Sequence, residues 1–304
     1  MRKIVLAGGS GHLGTLLAEA FLDLGWDVTV LSRQRDKRDG PVDHVFWDGE
    51  HLGPWTNVLE GADTVINLSG KNIQCRFTPR NKALLDHSRI LPTNALGRAI
   101  AQCYKPPRLW INFSGLSIFS GLKEMQDETS IAVGSGYLAQ LTRRWEAAAS
   151  AFELSDTARV ILRVSPVLTR QQGMFAELLR LTRWRLGGKV AEGKQLVSWI
   201  HEHDFVQLVQ WVIEQSNPRR IYHACSPNPI TQAALMKTIR ESTGISFGLP
   251  LPRPLVHIGA LVKGIDPSVL LDSVPATTRY TVEDGFAFTY GKPRDAIVNL
   301  VNGA

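Results

Sequence analysis

A glycine-rich turn at residues 8–14 constrains the fold of this chain more than any other feature. Apolar residues 4–7 predict a buried strand before it, and apolar residues at helical spacing over 13–24 predict a helix after it. Glycine permits a tight turn, a close approach of the backbone to a diphosphate and close packing of helix on strand, while N–H groups at the helix start attract an anion. This context predicts a dinucleotide-binding site rather than an ordinary strand-to-helix turn.

Strands alternate with helices along most of the chain. Apolar segments predict further strands at residues 26–31, 44–48, 62–70, 108–113, 158–164 and 221–225. Helices are expected at residues 79–103, interrupted near Pro92, and at residues 137–151. The alternation predicts an α/β fold with a doubly wound parallel sheet of the Rossmann type, whose ligands lie at the carboxyl ends of the strands.

Composition places the chain among ordinary globular proteins. Its 304 residues, 44% of them hydrophobic, have room for one large domain or two unequal ones. No apolar run is long enough to span a membrane, and the first strand stops too early for a signal peptide, so we expect a cytoplasmic protein without a membrane partner. The three cysteines are far apart and lack metal-binding spacing, which predicts reduced thiols and no metal site.

The formal net charge of +6 comes largely from two basic clusters, at residues 33–38 and 180–194. Neither cluster has the interleaved aromatics of a single-strand binder, nor a helix-turn-helix or zinc-finger pattern, so no nucleic-acid partner is expected. Phosphorylated small molecules explain the clusters more simply. For residues 180–194, binding of a substrate diphosphate and a solvated helix face are equal alternatives.

The end of the second strand bears on the choice of cofactor. A binder of NAD usually has an acidic residue there for the ribose hydroxyls, whereas an arginine accommodates the 2′-phosphate of NADP. This chain has Ser32-Arg33 followed by Arg35, Lys37 and Arg38, which favours NADP and makes NAD the lesser candidate. The alternative is a solvated charged loop. Asp48, at the end of the third strand, is placed where a carboxylate can reach the adenine amine.

Short signatures spread over the whole chain carry a family resemblance. They comprise the glycine turn and residues 65–70, 76–78, 88–90, 145–146, 186–188, 199–201 with Asp204, 227–229 and 285–288. With them the chain resembles the extended short-chain dehydrogenase/reductases of the NAD-dependent epimerase/dehydratase family, and within these the YfcH-like sugar-nucleotide epimerases. One position departs, because Lys71 stands where that branch usually has a glutamate.

The resemblance implies a Rossmann domain over residues 1–165, to which the chain returns at about 198–225, and a smaller α/β substrate domain formed mainly by residues 166–304. It implies a small-molecule substrate such as a nucleotide sugar, and leaves a homodimer open. The implied cofactor contacts are Gly8, Ser10, Gly11, His12, Leu13, Gly14, Ser32, Arg33, Asp48, Leu68, Ser69, Gly70, Arg76, Pro166 and Val167.

The catalytic half of the family pattern is altered. In this superfamily a Ser/Thr–Tyr–Lys trio performs acid–base work, with Lys one helical turn after Tyr. Here Tyr137 is followed four residues later by Leu141, and aligning on Glu146 places Leu138 and Thr142 at the two positions instead. Both alignments lose the trio.

The remaining catalytic candidates are Ser114, Ser117 and Tyr137, although serines at turns more often bond local backbone groups. The sequence thus predicts an NADP-binding epimerase or oxidoreductase-like protein with a degraded trio. The alternative is an inactive NADP-binding redox sensor or partner-binding module. Asp204 is expected to be a helix N-cap, and His223 and Cys225 to be core residues.

Overall fold

The structure is a computed structural model that describes residues 1–34 and 40–303. Its strands, in chain order, are β1 (Lys3–Ala7), β2 (Asp27–Ser32), β3 (Asp43–Phe46), β4 (Thr64–Asn67), β5 (Leu109–Gly115), β6 (Ala158–Val164), β7 (Val167–Leu168), β8 (Leu196–Val197), β9 (Ile200–His201), β10 (Ile221–Ala224) and β11 (Ile230–Thr231). Seven of them form one parallel sheet in the order β10-β6-β5-β4-β1-β2-β3. The predicted doubly wound parallel sheet is confirmed.

Helices cover both faces of this sheet. The helices of the described residues are α1 (His12–Asp23), α2 (Pro79–Gln102), α3 (Tyr137–Ser150), α4 (Gly173–Arg183), α5 (Glu202–Glu214), α6 (Gln232–Ser242), α7 (Arg253–Lys263), α8 (Ser268–Leu271), α9 (Tyr280–Glu283) and α10 (Pro293–Asn302), with 3₁₀ turns at Pro54–Leu59 and Leu116–Phe119. Phe21 of α1 and Phe205 of α5 belong to one buried cluster, and Leu96 of α2 and Ala149 of α3 to another. The sheet is therefore buried on both faces, as its apolar strands require.

Helix α2 runs through Pro92 without a break, so the predicted interruption near that residue is wrong. Pro92 is buried, and its neighbour Thr93 donates its hydroxyl to the Arg89 carbonyl at 2.7 Å while accepting the Trp145 indole N–H at 3.0 Å. Proline removes one helical hydrogen bond, but the bond from Trp145 of α3 holds the helix next to it.

The later part of the chain forms a second packed region beside the sheet. Helices α4, α6 and α10 share a buried cluster that includes Phe175, Ile239 and Ile297. Two short ladders accompany them, β7 with β9 in parallel and β8 with β11 antiparallel. Between these elements, β10 joins the edge of the large sheet beside β6. The predicted domain boundaries stay predictions.

The start of α5 differs from expectation. Its N-cap is His201, whose Nδ1 accepts the His203 N–H at 3.1 Å, so the prediction that Asp204 is the cap is wrong. Asp204 lies in the first turn and accepts the backbone N–H groups of Thr289 and Tyr290 at 3.0 and 2.9 Å. His223 and Cys225 are fully buried, as expected of core residues.

None of the helices in the described part of the chain has the length and hydropathy of a membrane-spanning segment.

Candidate functional site

The glycines of the turn after β1 have different surroundings. Gly8 has φ of +74°, and a Cβ there would lie 2.7 Å from Ser69 Oγ. A Cβ at Gly14 would lie 2.2 Å from the Gly9 carbonyl oxygen, whereas one at Gly11 would meet nothing within 4 Å. Gly8 and Gly14 thus serve close packing inside the protein, and Gly11 borders open space.

The start of α1 faces this same open space. Gly11 is its N-cap, and no side chain among the described residues caps it. The first N–H groups of a helix have no intrahelical partner and carry the positive end of the helix dipole. A space that a Cβ would fill, beside uncapped N–H groups, fits the diphosphate of a dinucleotide.

Other predicted contacts in the turn have clear positions. Ser10 is exposed, and Leu13 packs against the buried cluster on that face of the sheet. His12 Nε2 lies 3.0 Å from Thr169 Oγ1, and the Thr169 hydroxyl donates to the Gln172 carbonyl at 2.7 Å. Since that hydroxyl has one proton, His12 donates to Thr169. The contact joins the turn to the segment that follows β7.

Two predicted cofactor contacts, Pro166 and Val167, lie just before that segment. Pro166 is exposed just after β6, and its carbonyl accepts the Ile200 N–H at 3.2 Å. Val167 is half-buried and opens β7. Both follow the carboxyl end of a sheet strand, where ligands bind in this fold.

The end of β4 meets the glycine turn at the point where the strand order reverses. The Leu68 N–H donates to the Ala7 carbonyl at 2.8 Å, and Ser69 packs on Gly8. The Ser69 N–H donates to Asn67 Oδ1 at 3.1 Å. Reversal points of this kind are the usual ligand sites of open parallel sheets. The structure therefore brings residues 8–14 and 68–70 together.

Buried side chains hold Asn67 in place. Its Nδ2 donates to Thr93 Oγ1 at 2.9 Å and to Asn112 Oδ1 at 2.7 Å. These contacts link β4 to α2 and β5, and all three residues are buried. A polar cluster with its bonds satisfied favours a single arrangement, so the edge of the site is rigid.

The end of β2 is partly described. Ser32 is buried, and its hydroxyl donates to the Gln34 carbonyl at 3.2 Å, while Arg33 is exposed beside it. Arg35, Lys37 and Arg38 lie outside the described residues. The first carboxylate after this strand is at residue 36. The charged side chain that directly follows the strand is therefore the guanidinium of Arg33.

Asp48 shapes its own loop. Its carboxylate accepts the His51 and Glu50 backbone N–H groups at 2.9 and 2.8 Å, and these bonds, to His51 first, lower the pKa of Asp48 to about 2. Its other oxygen, Oδ2, lies 2.8 Å from His51 Nδ1, and the side chain is 44% exposed. Whether it reaches the adenine amine stays a prediction.

Arg76 reaches toward a different region. Its Nη2 donates to the Leu261 carbonyl in the last turn of α7 at 2.7 Å. The C-terminal end of a helix carries partial negative charge, which suits an arginine. This contact ties the segment between β4 and α2 to the later part of the chain, and a cofactor role for Arg76 stays a prediction.

Ser114, at the end of β5, donates to Glu146 Oε1 at 2.6 Å. Arg163 from the neighbouring strand β6 binds the same carboxylate through Nε and Nη2, at 2.8 and 2.9 Å. The Ser114 and Arg163 side chains are buried, and a paired, hydrogen-bonded carboxylate is the form in which such a charge is retained. The proton of Ser114 is therefore directed into the protein.

Sequence reasoning missed a second buried carboxylate, Glu128. It accepts the backbone N–H groups of His223 and Arg279 at 3.0 and 2.7 Å and the hydroxyl of Thr278 at 2.8 Å. His223 Nδ1 donates to the Thr277 carbonyl at 2.8 Å, and burial lowers the pKa of His223. The partners of Glu128 are all about a hundred residues or more away from it in the sequence, so no local pattern marks this residue.

Ser117 has a similar internal partner. Its Oγ lies 2.9 Å from Thr142 Oγ1, and Thr142 donates its own proton to the Leu138 carbonyl at 2.8 Å. The Ser117 hydroxyl is therefore the donor to Thr142. The protons of both candidate serines are thus engaged by protein acceptors.

Tyr137 is the first residue of α3, and its side chain contacts α2. Its hydroxyl is 2.9 Å from the Lys82 carbonyl and 3.0 Å from Asp86 Oδ2, so its proton serves these acceptors. Burial, then the Asp86 carboxylate, raises the pKa of Tyr137. A tyrosine that acts as general acid or base near neutral pH needs its pKa shifted in the opposite direction. Catalysis by Tyr137 stays a prediction, and these surroundings weigh against it.

The basic cluster at residues 180–194 begins at the end of α4. Arg180 stacks on the exposed Trp184 at 5.6 Å from the ring centroid and lies 3.9 Å from Glu177. Arg183, Arg185 and the lysines that follow are exposed. Both interpretations of the cluster stay open.

Comparison with known proteins bears on the whole chain. The model of the NAD dependent epimerase/dehydratase family matches residues 4–225. The epimerase family protein SDR39U1 of Bos taurus is 29% identical over 305 residues, covering 98% of this chain and 99% of that protein. The epimerase family protein YfhF of Bacillus subtilis is 26% identical over 301 residues, covering 98% of each.

Among solved structures, this fold is similar to the crystal structure of human epimerase family protein SDR39U1 (isoform 2) with NADPH. The TM-score is 0.87 at 25% sequence identity, and the match covers 99% of this chain and 100% of the human one. The similarity extends beyond the Rossmann half into the later helices.

Proposed function

This chain belongs to the NAD dependent epimerase/dehydratase family, and on that basis we propose that it binds NADP in preference to NAD and acts on a nucleotide sugar or a related small molecule. The observation that carries the proposal is the open space at Gly11 beside the uncapped start of α1. The human relative whose structure contains NADPH supports the choice of cofactor.

The preference for NADP rests on the end of β2. Arg33 is exposed there, where a binder of NAD usually has a carboxylate for the ribose hydroxyls. A guanidinium is always charged and matches the geometry of a phosphate. Arg33 therefore pairs with the 2′-phosphate, and residues 8–14 hold the diphosphate.

A bound nicotinamide dinucleotide supplies hydride transfer. Ser114, at the end of β5, and Ser117, just after it, lie on the opposite side of β1 from Arg33. Because each gives its proton to a protein acceptor, each offers a lone pair, and we propose that the two serines accept the hydroxyl of a substrate and orient it.

A second function is favoured by a specific observation. The Tyr137 hydroxyl donates to the Lys82 carbonyl and the Asp86 carboxylate. In addition, no lysine stands one helical turn after Tyr137. A protein with an intact cofactor turn and no proton relay would bind NADP without turnover, as a redox sensor or partner-binding module.

One pair of variants separates the two functions. NADPH-dependent turnover is measured over a panel of nucleotide sugars for the wild type, Ser114→Ala and Ser117→Ala, with Ser155→Ala as the matched control on an exposed turn. The enzyme predicts turnover that falls at least tenfold in the first two variants and not in the control. Micromolar NADPH binding without turnover over the panel would instead favour the binding module.

A further inference from the structure

Helix α7 exposes most of its apolar side chains. Of its eleven residues, Val256 and Ala260 are the buried ones. Its exposed large apolar side chains are those of Leu255, Ile258, Leu261 and Val262, the last of them 84% exposed. Because helical residues three, four and seven positions apart share a face, residues 255, 258 and 262 form one apolar stripe. No other element of the described chain covers this stripe.

A second group of exposed apolar side chains lies beside the start of α7. The Leu249 N–H donates to the Arg185 carbonyl at 2.8 Å, and the Leu251 N–H donates to the Lys189 carbonyl at 2.9 Å. These bonds pair the segment before α7 with the loop after α4. The exposed large apolar residues of the paired segments are Trp184, Leu186, Phe247 and Leu249. We refer to residues 180–189 and 247–263 together as the α4–α7 surface.

The charges of the α4–α7 surface all have the same sign. Residues 178–191 and 242–265 contain no aspartate or glutamate. The exposed cations of the surface are Arg180, Arg183, Arg185, Lys189, Arg253 and Lys263. Glu177, at its border, pairs with Lys263 and lies 3.9 Å from Arg180. Within the described residues, the other four cations have no ion pair, so the surface carries a net positive charge beside its apolar side chains.

This combination indicates what covers the surface. A second copy of the chain, related by a two-fold axis, would place the same cations against one another. A bilayer with anionic headgroups matches both properties, because its phosphates pair with arginine and lysine and its interface accepts apolar side chains. Trp184 has a ring that favours this interface, and Arg180 stacks on it at 5.6 Å from the ring centroid.

The protein holds α7 so that the stripe faces outward. Arg76 Nη2 donates to the Leu261 carbonyl at 2.7 Å, and Lys263 pairs with Glu177 of α4. Pro252 and Pro254 restrict the backbone at the start of the helix. A face that is already ordered in the free protein loses little conformational entropy on binding.

We propose that the α4–α7 surface binds reversibly to a bilayer that contains anionic phospholipids. The stripe of α7 and Trp184 enter the interface, and the exposed arginines contact headgroup phosphates. The expectation of no membrane partner follows from the lack of a long apolar run, and a surface that lies on a bilayer needs none. The surface contains none of the residues to which the proposed function assigns a role, so its binding goes beyond that function.

Vesicle flotation of the full-length protein tests this binding. The vesicles consist of phosphatidylcholine alone or with about 30% phosphatidylglycerol, in about 0.1 M salt so that surface charges are only partly screened. Each cation near an anionic surface raises the affinity roughly fivefold. We therefore expect the protein to bind the anionic vesicles at least tenfold more tightly than the neutral ones.

Two double variants separate the charged and the apolar contributions. Arg183→Gln with Arg185→Gln, and Ile258→Asn with Val262→Asn, should each weaken binding to anionic vesicles at least tenfold. The matched controls are Arg143→Gln on α3 and Ile131→Asn, whose side chain is 98% exposed in a different loop, and they should leave binding unchanged. All of the substituted side chains are exposed, so the urea unfolding midpoints should stay close to that of the wild type.

Tryptophan fluorescence gives a second measurement. Trp184 is the exposed one among the tryptophans of the described residues, so anionic vesicles should shift the emission of the wild type to the blue, and not that of Trp184→Phe. Equal binding to both kinds of vesicle, binding to neither, or full binding by the Ile258→Asn, Val262→Asn variant would overturn the proposal. A dimer in light scattering that this variant converts to a monomer, without vesicle binding, would assign the surface to a second copy instead.

Discussion

Substitution of Gly11 by alanine tests the cofactor site without disturbing the fold. The backbone of Gly11 has φ of −88° and ψ of 172°, which any residue adopts, and the added methyl meets no protein atom within 4 Å. Loss of glycine at an N-cap costs about 0.5 kcal/mol of folding stability. A methyl forced against a bound ligand costs about 1–3 kcal/mol, so NADPH affinity should fall by roughly 5- to 150-fold.

The matched control is the same substitution at Gly14. There the methyl would lie 2.2 Å from the Gly9 carbonyl oxygen and 2.5 Å from the Gly9 carbonyl carbon, both of which are backbone atoms. Helix α1 must move away from the turn, so we expect Gly14→Ala to lower the free energy of unfolding by several kcal/mol, on the order of the largest single-residue effects. Urea unfolding and NADPH fluorescence titration measure the two effects.

The contrast between the two variants tests whether the diphosphate of the cofactor passes over Gly11. We expect Gly11→Ala to lower the unfolding midpoint only slightly, in line with about 0.5 kcal/mol, and to lose NADPH affinity, whereas Gly14→Ala should lose several kcal/mol of stability. If Gly11→Ala binds NADPH as the wild type does, the diphosphate does not pass over Gly11 and the reasoning from its open surroundings is refuted.

Three further outcomes are expected. Burial lowers the pKa of His201 from 6.5 to about 4, so only the unfolded chain takes up a proton as the pH falls through this range. The free energy of unfolding should therefore drop by up to about 3 kcal/mol between pH 6.5 and pH 4. In urea unfolding, His201→Asn should flatten this pH profile. Tyr137→Phe should lower stability by about 1 kcal/mol with unchanged NADPH affinity, and a tenfold loss of turnover would instead favour a catalytic role. Asp204→Ala should cost about 3 kcal/mol, since two backbone N–H groups lose their acceptor; an unchanged urea midpoint would contradict this.

The sheet could be predicted because its signals are local. Each strand is a short apolar run, and the glycine turn specifies how β1 passes into α1. The continuity of α2 could not be predicted, since Thr93 is held by residues of β4 and α3 that sequence spacing does not relate to it. Propensity at Pro92 was outweighed by tertiary contacts.

Some parts of the site could likewise be predicted from local motifs, whereas others depend on contacts between distant residues. Residues 8–14 and 68–70 follow from motifs, but the acceptors that take the protons of Ser114 and Ser117 lie 32 and 25 residues away. Asp204 is not the cap of α5 because its carboxylate accepts the backbone N–H groups of Thr289 and Tyr290. Those residues are about 85 positions away, so only the folded chain shows the contact.

The most direct measurement is a paired titration of NADPH and NADH against the wild type and Arg33→Ala, following nicotinamide fluorescence. The account predicts micromolar binding of NADPH, weaker binding of NADH, and a loss of the difference in Arg33→Ala, because the arginine pairs with the 2′-phosphate that NADH lacks. Equal affinity of the wild type for both dinucleotides, or an unchanged NADPH affinity in Arg33→Ala, would contradict the role of Arg33. Absence of binding to either would contradict the cofactor site itself.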